Sequence, residues 1–477
     1  MPQLASGICF LFIAWLVVRD CRRRRSNVSS AVWLPIALLL ILSSRPVSLW
    51  TAGGGDVMAE KSGVTNELGN NNARSPLDQL FFLTVISASF LIANSRGMRW
   101  KKLFAGNMPI MLFYLYFALS IVWSGDPGGS LKRLAKDFGL LFVIGLIYTE
   151  KDPLQAMRAV FVRTAFVLIP LSVLFVKFYP EYARSYTIAG DIMITGVTTQ
   201  KNSLGETILL FTLFLVWDYL EVLRGQARFQ WTRIPWDRVM LLIMGAWLLH
   251  LSQSKTALLC ISIGVFLIAR SGRLISIPIN RAALLGALLL PPVAFFSQKF
   301  ASVIAPIVEA LGRSMTFTGR ADIWAHINLS TVNPALGAGY WNFWGGDGGF
   351  AIARAMNTGI PNAHNGYVDL YLDGGFIGLM MLLYMLVSCS KRMIKYLATH
   401  QDEDRFRRAK FAVLIVAIVY NLSESTFARM GPIWFTALLM MVDYPLTRPI
   451  MRKSWTPAIV DKSNGDVINS ELTLLPQ

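Results

Sequence analysis

The sequence predicts an all-α, polytopic membrane protein with about 12–13 transmembrane helices. Hydrophobic residues make up 54% of its 477 residues, and charged residues make up only 15%. Soluble domains carry about 25% charged residues, so this chain lacks the polar cover of a water-soluble surface. Its Lys and Arg residues separate apolar runs, whereas a nucleic-acid-binding protein would cluster them on a polar domain. The composition therefore excludes an ordinary cytosolic enzyme.

Apolar runs, bounded by clusters of charged residues, Gly, Pro or Asn, are the candidates for spanning helices, which need about 20 residues each. They centre on residues 4–18, 31–50, 77–95, 107–124, 138–149, 156–179, 204–221, 239–252, 256–270, 281–296, 366–390, 411–428 and 432–447. The first run has no basic segment before it and is followed by RDCRRRR, which favours a retained span over a cleaved signal peptide. Several runs are short, so the count is open by one or two spans.

The distribution of Lys and Arg predicts how these spans are oriented. With the amino terminus outside, the inner segments carry 29 Lys and Arg residues and the outer segments carry 15. The whole chain, 1–477, is then a single integral membrane domain, with a long periplasmic loop at 297–365 and a cytoplasmic tail at 448–477. The formal net charge of +17 mostly records this topology rather than an acidic partner.

One of the four histidines has a position suited to catalysis. His364 lies in PNAHNGYVDLYLDGG, at the end of the long loop and just before an apolar run. A side chain there can reach both the lipid surface and the aqueous loop. Imidazole exchanges protons near neutral pH and is a natural general base. The alternative is a structural Asn/His cluster in which Asn365 caps the following helix.

Basic residues on the predicted outer side are candidates for binding an anion. Lys255 lies between two apolar runs with almost no loop around it, and such boundary cations are costly. Arg320 lies in FTGRADIWAHI within the long loop, and Lys201 precedes Asn202 at the start of a run. Arg133 lies in GGSLKRLAKDFG, which is typical of an interfacial amphipathic helix that binds anionic lipid. Arg133 could instead bind a lipid-linked phosphate.

Other polar and aromatic residues leave alternatives open. The segment GAGYWNFWGGDGG contains four aromatic residues, Tyr340, Trp341, Phe343 and Trp344. These rings could stack on sugars or anchor the loop at the membrane interface.

Asp369 and Asp373 share a helix face and form either a paired-carboxylate site or a hydrogen-bonding set. Arg163 either pairs internally or lines a polar cavity. No motif for a metal ion or a nucleoside triphosphate is present, so no metal or cofactor is predicted.

Five segments, in this order, carry a family resemblance. They are VTTQKNSLGE (197–206), SQSKTALL (252–259), FTGRADIWAHINLSTVNPALGAGY (317–340), NAHNGYVDLYLDGGFIGL (362–379) and NLSESTF (421–427). Through them the chain resembles the superfamily of O-antigen ligases and Wzy-type polysaccharide polymerases. Within that superfamily it is most similar to the exopolysaccharide-production polymerases, although ligases and polymerases share these motifs.

The resemblance implies an all-helical, GT-C-like membrane glycosyltransferase that uses undecaprenyl-diphosphate-linked glycans and needs no metal. His364 matches the proposed general base of the family, and Arg320 matches a loop arginine implicated in donor binding. Lys201 and Asn202 match the K-N pair of the family. Lys255 stands where many members have Arg, so it would contact phosphate as a point charge rather than as a bidentate fork.

The resemblance also implies a function and a location. A polymerase would join lipid-linked repeat units into exopolysaccharide at the periplasmic face of a bacterial inner membrane, whereas an O-antigen ligase would transfer the glycan to lipid A–core. The expected partners are the lipid-linked glycan, membrane lipids and other polysaccharide assembly and export proteins, with no nucleic acid. Rivals from other classes are a polysaccharide transporter or flippase and a scaffold of an export complex.

Overall fold

The computed structural model describes residues 2–24, 27–51, 75–186, 190–224, 234–270, 323–324, 326–327, 332–356, 361–399 and 405–444. Arg320, the predicted span 281–296 and the predicted tail 448–477 lie outside the described residues, as does most of the loop 297–365. The chain divides into two units, Met1–Tyr444 and Pro445–Gln477, and the fold given below is that of the first.

The described residues are predominantly helical, which confirms the predicted all-α class. The helices are α1 (Pro2–Arg24), α2 (Trp33–Leu42), α3 (Val47–Thr51), α4 (Pro76–Ser95), α5 (Trp100–Gly106), α6 (Met108–Ser120), α7 (Pro127–Tyr148), α8 (Pro153–Phe178), α9 (Pro180–Ala183), α10 (Lys201–Arg224), α11 (Trp236–Ser252), α12 (Lys255–Arg270), α13 (Asp347–Met356), α14 (Gly366–Thr399), α15 (Arg405–Tyr420) and α16 (Pro432–Met441). Short 3₁₀ turns cover Ser30–Val32 and Ile121–Trp123. A small antiparallel hairpin pairs β1 (Arg184–Tyr186) with β2 (Ile192–Ile194).

Several helices are suited to crossing a membrane, which confirms the polytopic character of the chain. By length and composition, α1, α4, α8 and α14 each qualify within the described residues. Helix α5 and the segment Met108–Trp123 qualify together as a pair bent by 91°, which gives a fifth span if the pair is counted as one. Helices α2, α12, α15 and α16 contain shorter apolar stretches. The total of about 12–13 spans stays a prediction.

Two predicted runs have a different form in the structure. The run 31–50 is not one helix, because α2 ends at Leu42 and α3 begins only at Val47, after Pro46. The run 138–149 is largely the second half of α7, whose start is capped by the Asp126 carboxylate accepting from the Gly129 N–H at 2.9 Å. Pro127 suits the first helical position because its missing N–H would have no partner there. The amphipathic segment around Arg133 is therefore continuous with this run as the first part of α7, where Leu131, Lys132 and Ala135 are exposed.

Buried charges inside the bundle are paired. Arg163 in α8 donates from Nε to Asp20 Oδ2 at 2.8 Å, which confirms that it pairs internally. Asp137 in α7 accepts from Tyr340 Oη at 2.9 Å and from Trp434 Nε1 at 2.9 Å, so one carboxylate joins α7, the loop before α13, and α16. Buried charges are tolerated when they are hydrogen-bonded in this way.

A kink in α14 shapes the end of the bundle where the site lies. Gly375 has φ 61°, and a Cβ there would overlap the backbone of Ala335. Only glycine adopts this conformation readily and also allows so close an approach. The Ala338 N–H donates to Leu372 O at 2.9 Å, and the Phe376 N–H donates to Pro334 O at 2.8 Å. The loop before α13 is thus held directly against the kink.

Candidate functional site

The connector between α15 and α16, residues 421–431, is the centre of the candidate site. The Gly366 N–H donates to the carbonyls of Asn421 at 2.9 Å and Glu424 at 3.0 Å. The Asn365 side-chain amide donates to Leu422 O at 3.1 Å. A Cβ on Gly366 would overlap Asn421 Oδ1, so the start of α14 can approach the connector this closely only with glycine.

Two further segments reach the same connector. The Thr256 and Ser423 hydroxyl oxygens lie 2.9 Å apart, which joins the start of α12 to the connector. Gly205 in α10 packs closely against the Ser254 side chain. Lys255 is therefore held at the first position of α12, where its side chain is exposed.

His364, Glu424 and Asn202 meet at one carboxylate oxygen. Glu424 Oε2 lies 3.4 Å from His364 Nδ1 and 3.4 Å from Asn202 Nδ2. The Glu424 side chain is 9% exposed, whereas that of His364 is 29% exposed. The imidazole is thus open to a substrate while its partner is shielded. Lys201 precedes Asn202 at the first position of α10.

The structure shows the capping interpretation of the Asn/His motif and leaves the His364 side chain outside the cap. Asn365 Oδ1 accepts from the N–H groups of Tyr367 at 3.0 Å and Val368 at 3.2 Å, and so caps α14. The N–H of His364 donates to Asn362 Oδ1 at 2.9 Å, and the backbone of His364 is left-handed with φ 50°. Asn365 ends the turn, and His364 remains free of the capping role.

The two aspartates of α14 form a hydrogen-bonding set rather than a paired-carboxylate site. Asp369 accepts from Trp344 Nε1 at 2.7 Å, from the Ala363 N–H at 2.9 Å and from the Ser425 hydroxyl. Asp373 Oδ1 accepts from the N–H groups of Asn342 and Phe343, each at 3.1 Å. Both carboxylates therefore fix the loop before α13.

The aromatic residues of that loop divide into core and surface. Tyr340, Phe343 and Trp344 are buried, so they act neither as membrane anchors nor as sugar platforms. Trp341 alone among the four is partly exposed. Its ring lies near two cations: the guanidinium carbons of Arg133 and Arg429 lie 5.9 and 5.1 Å from the ring centroid. We call Arg133, Trp341 and Arg429 the arginine–tryptophan cluster.

The arginine–tryptophan cluster is tied to the kinked helix. Arg429 Nη1 lies 2.8 Å from Asp373 Oδ2, and Arg133 donates from Nη1 to Trp341 O at 3.2 Å. Burial lowers the pKa of the Arg133 guanidinium, an effect that the positive charge of Arg429 reinforces and the carboxylates of Asp126 and Asp373 oppose. Arg133 thus belongs to this cluster, and within the described residues no hydrogen bond or ion pair joins it to His364.

Backbone strain is concentrated in these segments. Apart from glycine, the described residues with a left-handed backbone are Gln253, Trp341, His364 and Ala428. Each lies in or beside a connecting segment named above. Such conformations persist only where the surroundings enforce them, and they cluster at functional sites.

Sequence reasoning found part of this arrangement. It named His364 and Asn202, which the structure brings together, and their neighbours Lys201 and Lys255 are carried by segments that pack at the same connector. It missed Glu424, although an acidic residue in a short connector between apolar runs is a signal in itself. Arg320, the remaining candidate, lies outside the described residues.

A second residue that sequence reasoning missed supports the start of α10. The buried Arg45 guanidinium donates to the carbonyls of Gly196 at 3.2 Å and Thr198 at 3.3 Å, and also to Tyr182 O. The Gly196 and Thr198 carbonyls belong to the turn that leads into Lys201, and Tyr182 lies in α9. Arg45 lies at the break between α2 and α3, which the sequence pattern had merged into one run.

The geometry supports proton transfer by a side chain. A partly exposed imidazole next to a shielded carboxylate can accept a proton and be stabilised as the cation. Within the described residues, no group of three or more His, Cys, Asp or Glu side chains could hold a metal ion.

Comparison with known proteins finds a matching family model and a relative. Residues 239–383 match the family model described as O-antigen ligase. The chain is also 24% identical, over 358 residues, to the exopolysaccharide production protein ExoQ of Rhizobium meliloti (strain 1021), a match that covers 70% of this chain and 77% of the relative. The family match includes His364, Lys255 and Asp373. The resemblance to the superfamily of O-antigen ligases and Wzy-type polysaccharide polymerases, first indicated by the ordered motifs, is therefore confirmed.

Proposed function

We propose that the protein polymerises undecaprenyl-diphosphate-linked repeat units into exopolysaccharide at the periplasmic face of the inner membrane. The observation that carries the proposal is the shared contact of Glu424 Oε2 with His364 Nδ1 and Asn202 Nδ2. It supplies a general base, and Lys201, next in sequence to Asn202, supplies a cation. The name of the relative, an exopolysaccharide production protein, favours polymerisation over ligation.

His364 acts as the general base of the transfer. Its Nε2 accepts the proton of an acceptor hydroxyl as that oxygen attacks the anomeric carbon of the donor glycan. The bond between that carbon and the diphosphate oxygen breaks, and the lipid diphosphate leaves with the bonding electrons. Attack opposite the leaving group inverts the anomeric centre. Glu424 orients the imidazole through Nδ1 and stabilises the imidazolium that forms, as the aspartate does in a catalytic triad.

Cations stabilise the departing diphosphate. Lys201 and Lys255 stand at the first positions of α10 and α12, and both helices pack at the connector that carries Glu424. The positive end of each helix dipole adds to the side-chain charge there. Arg320 is proposed to join them from the long loop. Fixed positive groups of this kind stabilise charge that develops in the transition state.

The test is transfer in vitro with a defined lipid-linked repeat unit and no lipid A. A polymerase lengthens the glycan under these conditions, whereas a flippase or a scaffold leaves every unit single. The His364→Asn variant suits this assay because Asn tolerates the left-handed backbone that His364 adopts. We expect His364→Asn to lower kcat about 10²- to 10⁴-fold at an unchanged unfolding temperature. Normal polymerisation by this variant would exclude His364 as the base.

Ligation to lipid A–core is the second candidate, since the matching family model is described as O-antigen ligase. The same assay separates the two when lipid A–core is added as the competing acceptor. Transfer that occurs only with lipid A–core would replace polymerisation by ligation and would leave the roles of His364 and Glu424 unchanged.

A further inference from the structure

The arginine–tryptophan cluster carries chemistry that the transfer step does not use. Its two guanidiniums lie 5.9 and 5.1 Å from the centroid of one indole, and both side chains are mostly buried, with 14% of Arg133 and 12% of Arg429 exposed. Burying two like charges side by side is unfavourable unless anions neutralise them. Asp373 lies 2.8 Å from Arg429, but the partner of Arg133 is Asp126, which is 3.7 Å away and 56% exposed. The positive charge of Arg133 is therefore only weakly neutralised.

Each arginine also retains a covered donor that has no partner. Arg133 Nε and Arg429 Nη2 are buried nitrogens without a hydrogen bond to any described residue. A buried donor that is left unpaired destabilises the fold, so native structures rarely keep one without a reason. Two such donors in one cluster, both on cations, indicate an acceptor that binds from outside the chain.

The cluster is built to hold its shape. Tyr340 donates from Oη to Asp137 at 2.9 Å, and the same oxygen lies 3.1 Å from the Ala428 carbonyl. Tyr340 precedes Trp341, and Ala428 precedes Arg429. Trp341 and Ala428 both have left-handed backbones, with φ values of 50° and 53°. The buried Asp137–Tyr340 contact thus fixes both halves of the cluster in strained conformations.

We propose that Arg133, Trp341 and Arg429 form a subsite for a carboxylate-bearing sugar of the glycan, away from the bond that is transferred. The one donor left over on each guanidinium matches one oxygen of a carboxylate, and the partly exposed indole adds apolar contact for the sugar ring. Asp373, the partner of Arg429, lies seven residues beyond Gly366, or about 10 Å along α14 from the His364 end. The reacting diphosphate must lie beside His364, so the anion at this distance belongs to another sugar.

The subsite rests on the proposed function in one respect, namely that its ligand is a glycan. It can be tested by measuring binding alone. The full-length protein in detergent is titrated calorimetrically with trigalacturonate, with the neutral trisaccharide maltotriose and with inorganic pyrophosphate. We expect trigalacturonate to bind at least about 10-fold more tightly than maltotriose, since charge-assisted hydrogen bonds contribute most of the difference.

Variants assign that binding to the cluster. Arg133→Gln and Arg429→Gln are each expected to weaken trigalacturonate binding about 10-fold or more. Arg429→Lys keeps the ion pair with Asp373 but loses the planar fork, so it tests the geometry if Arg429→Gln fails to fold. Arg354→Gln, an exposed arginine of α13, is the matched control and should bind as the parent protein does.

Three results would overturn the subsite. One is equal affinity for the acidic and neutral trisaccharides, and another is unchanged binding by Arg133→Gln and Arg429→Lys. The third is competition by pyrophosphate for the same arginines with higher affinity than trigalacturonate, which would assign the cluster to the diphosphate. His364→Asn separates this proposal from the previous one, because it should abolish transfer yet bind trigalacturonate normally.

Discussion

Replacing Glu424 by Gln removes one negative charge from the transfer site and changes little else. The two side chains have nearly the same shape, and the amide oxygen can still accept a hydrogen bond from Asn202, which lies 3.4 Å from the carboxylate. The imidazole of His364 then loses its anionic neighbour. The effect of this variant on the transfer rate therefore measures what the carboxylate contributes to the base.

The expected magnitude follows from the geometry. At the 3.4 Å between Glu424 Oε2 and His364 Nδ1, a carboxylate and an imidazolium attract each other by about 5 kcal/mol at an effective dielectric constant of ~20. Because 29% of the His364 side chain is exposed, solvent screening reduces this to about 2–3 kcal/mol. The attraction exists only once the imidazole holds a proton, as in the transition state, so its loss lowers kcat by roughly 30- to 150-fold.

The assay is glycan elongation on a defined lipid-linked repeat unit, with kcat and KM measured separately. We expect Glu424→Gln to lower kcat and to leave KM within about 3-fold, because substrate binding does not involve the buried carboxylate. Glu424→Asp, which keeps the charge on a shorter side chain, should recover part of the rate. Glu181→Gln, an exposed acidic residue on the predicted outer side, is the matched control.

A Glu424→Gln enzyme with full kcat would refute the role given to the carboxylate. A rise in KM at constant kcat would contradict it as well, since that pattern belongs to a residue that only binds substrate. Equal unfolding temperatures of Glu424→Gln and the parent protein are required for either conclusion, and circular dichroism during heating in detergent supplies them.

Further changes test the support of the site and its cations. Gly366→Ala places a methyl group against Asn421 Oδ1, so we expect about 1–3 kcal/mol of lost stability and a lower unfolding temperature; an unchanged temperature would contradict the tight contact. Arg45→Lys cannot reach the several carbonyls that the guanidinium holds, and the turn before α10 should become more accessible to protease; normal protection would count against this support. Lys255→Gln should lower kcat about 10- to 100-fold while Lys255→Arg stays within about 3-fold, and equal rates for the two variants would remove Lys255 from donor stabilisation.

Much of the fold could be predicted because apolar runs directly indicate helices. The class, the polytopic character and the internal pairing of Arg163 all followed from composition and position. The break in the run 31–50 and the extension of α7 back to Pro127 did not, because apolar content alone does not locate a helix end. Those ends depend on local backbone features, Pro46 in one case and the Asp126 cap in the other.

In the candidate site, a residue could be predicted when its type alone suggests a role. A residue whose contact depends on two distant segments coming together could not be predicted. His364 stood out because few histidines are present and this one adjoins an apolar run. Glu424 is 60 positions away in the chain, and its contact with His364 exists only because Gly366 brings α14 against the connector. Asp369 and Asp373 were correctly placed on one face, but their partners lie in a loop whose fold the sequence pattern did not indicate.

The connector 421–431 links the proposed transfer site to the arginine–tryptophan cluster, since it carries both Glu424 and Arg429. It is held at one end by the contact of Asn421 with Gly366 and at the other by the contact of Ala428 with Tyr340. A segment fixed at both ends in this way leaves little freedom between the carboxylate and the guanidinium. Strained backbones at His364, Trp341 and Ala428 each cost about 1–3 kcal/mol, and these anchoring contacts must offset that cost. The loops therefore carry His364 and Glu424 of the proposed transfer site, the first turns of α10 and α12 carry its lysines, and the buried bundle holds these segments in place.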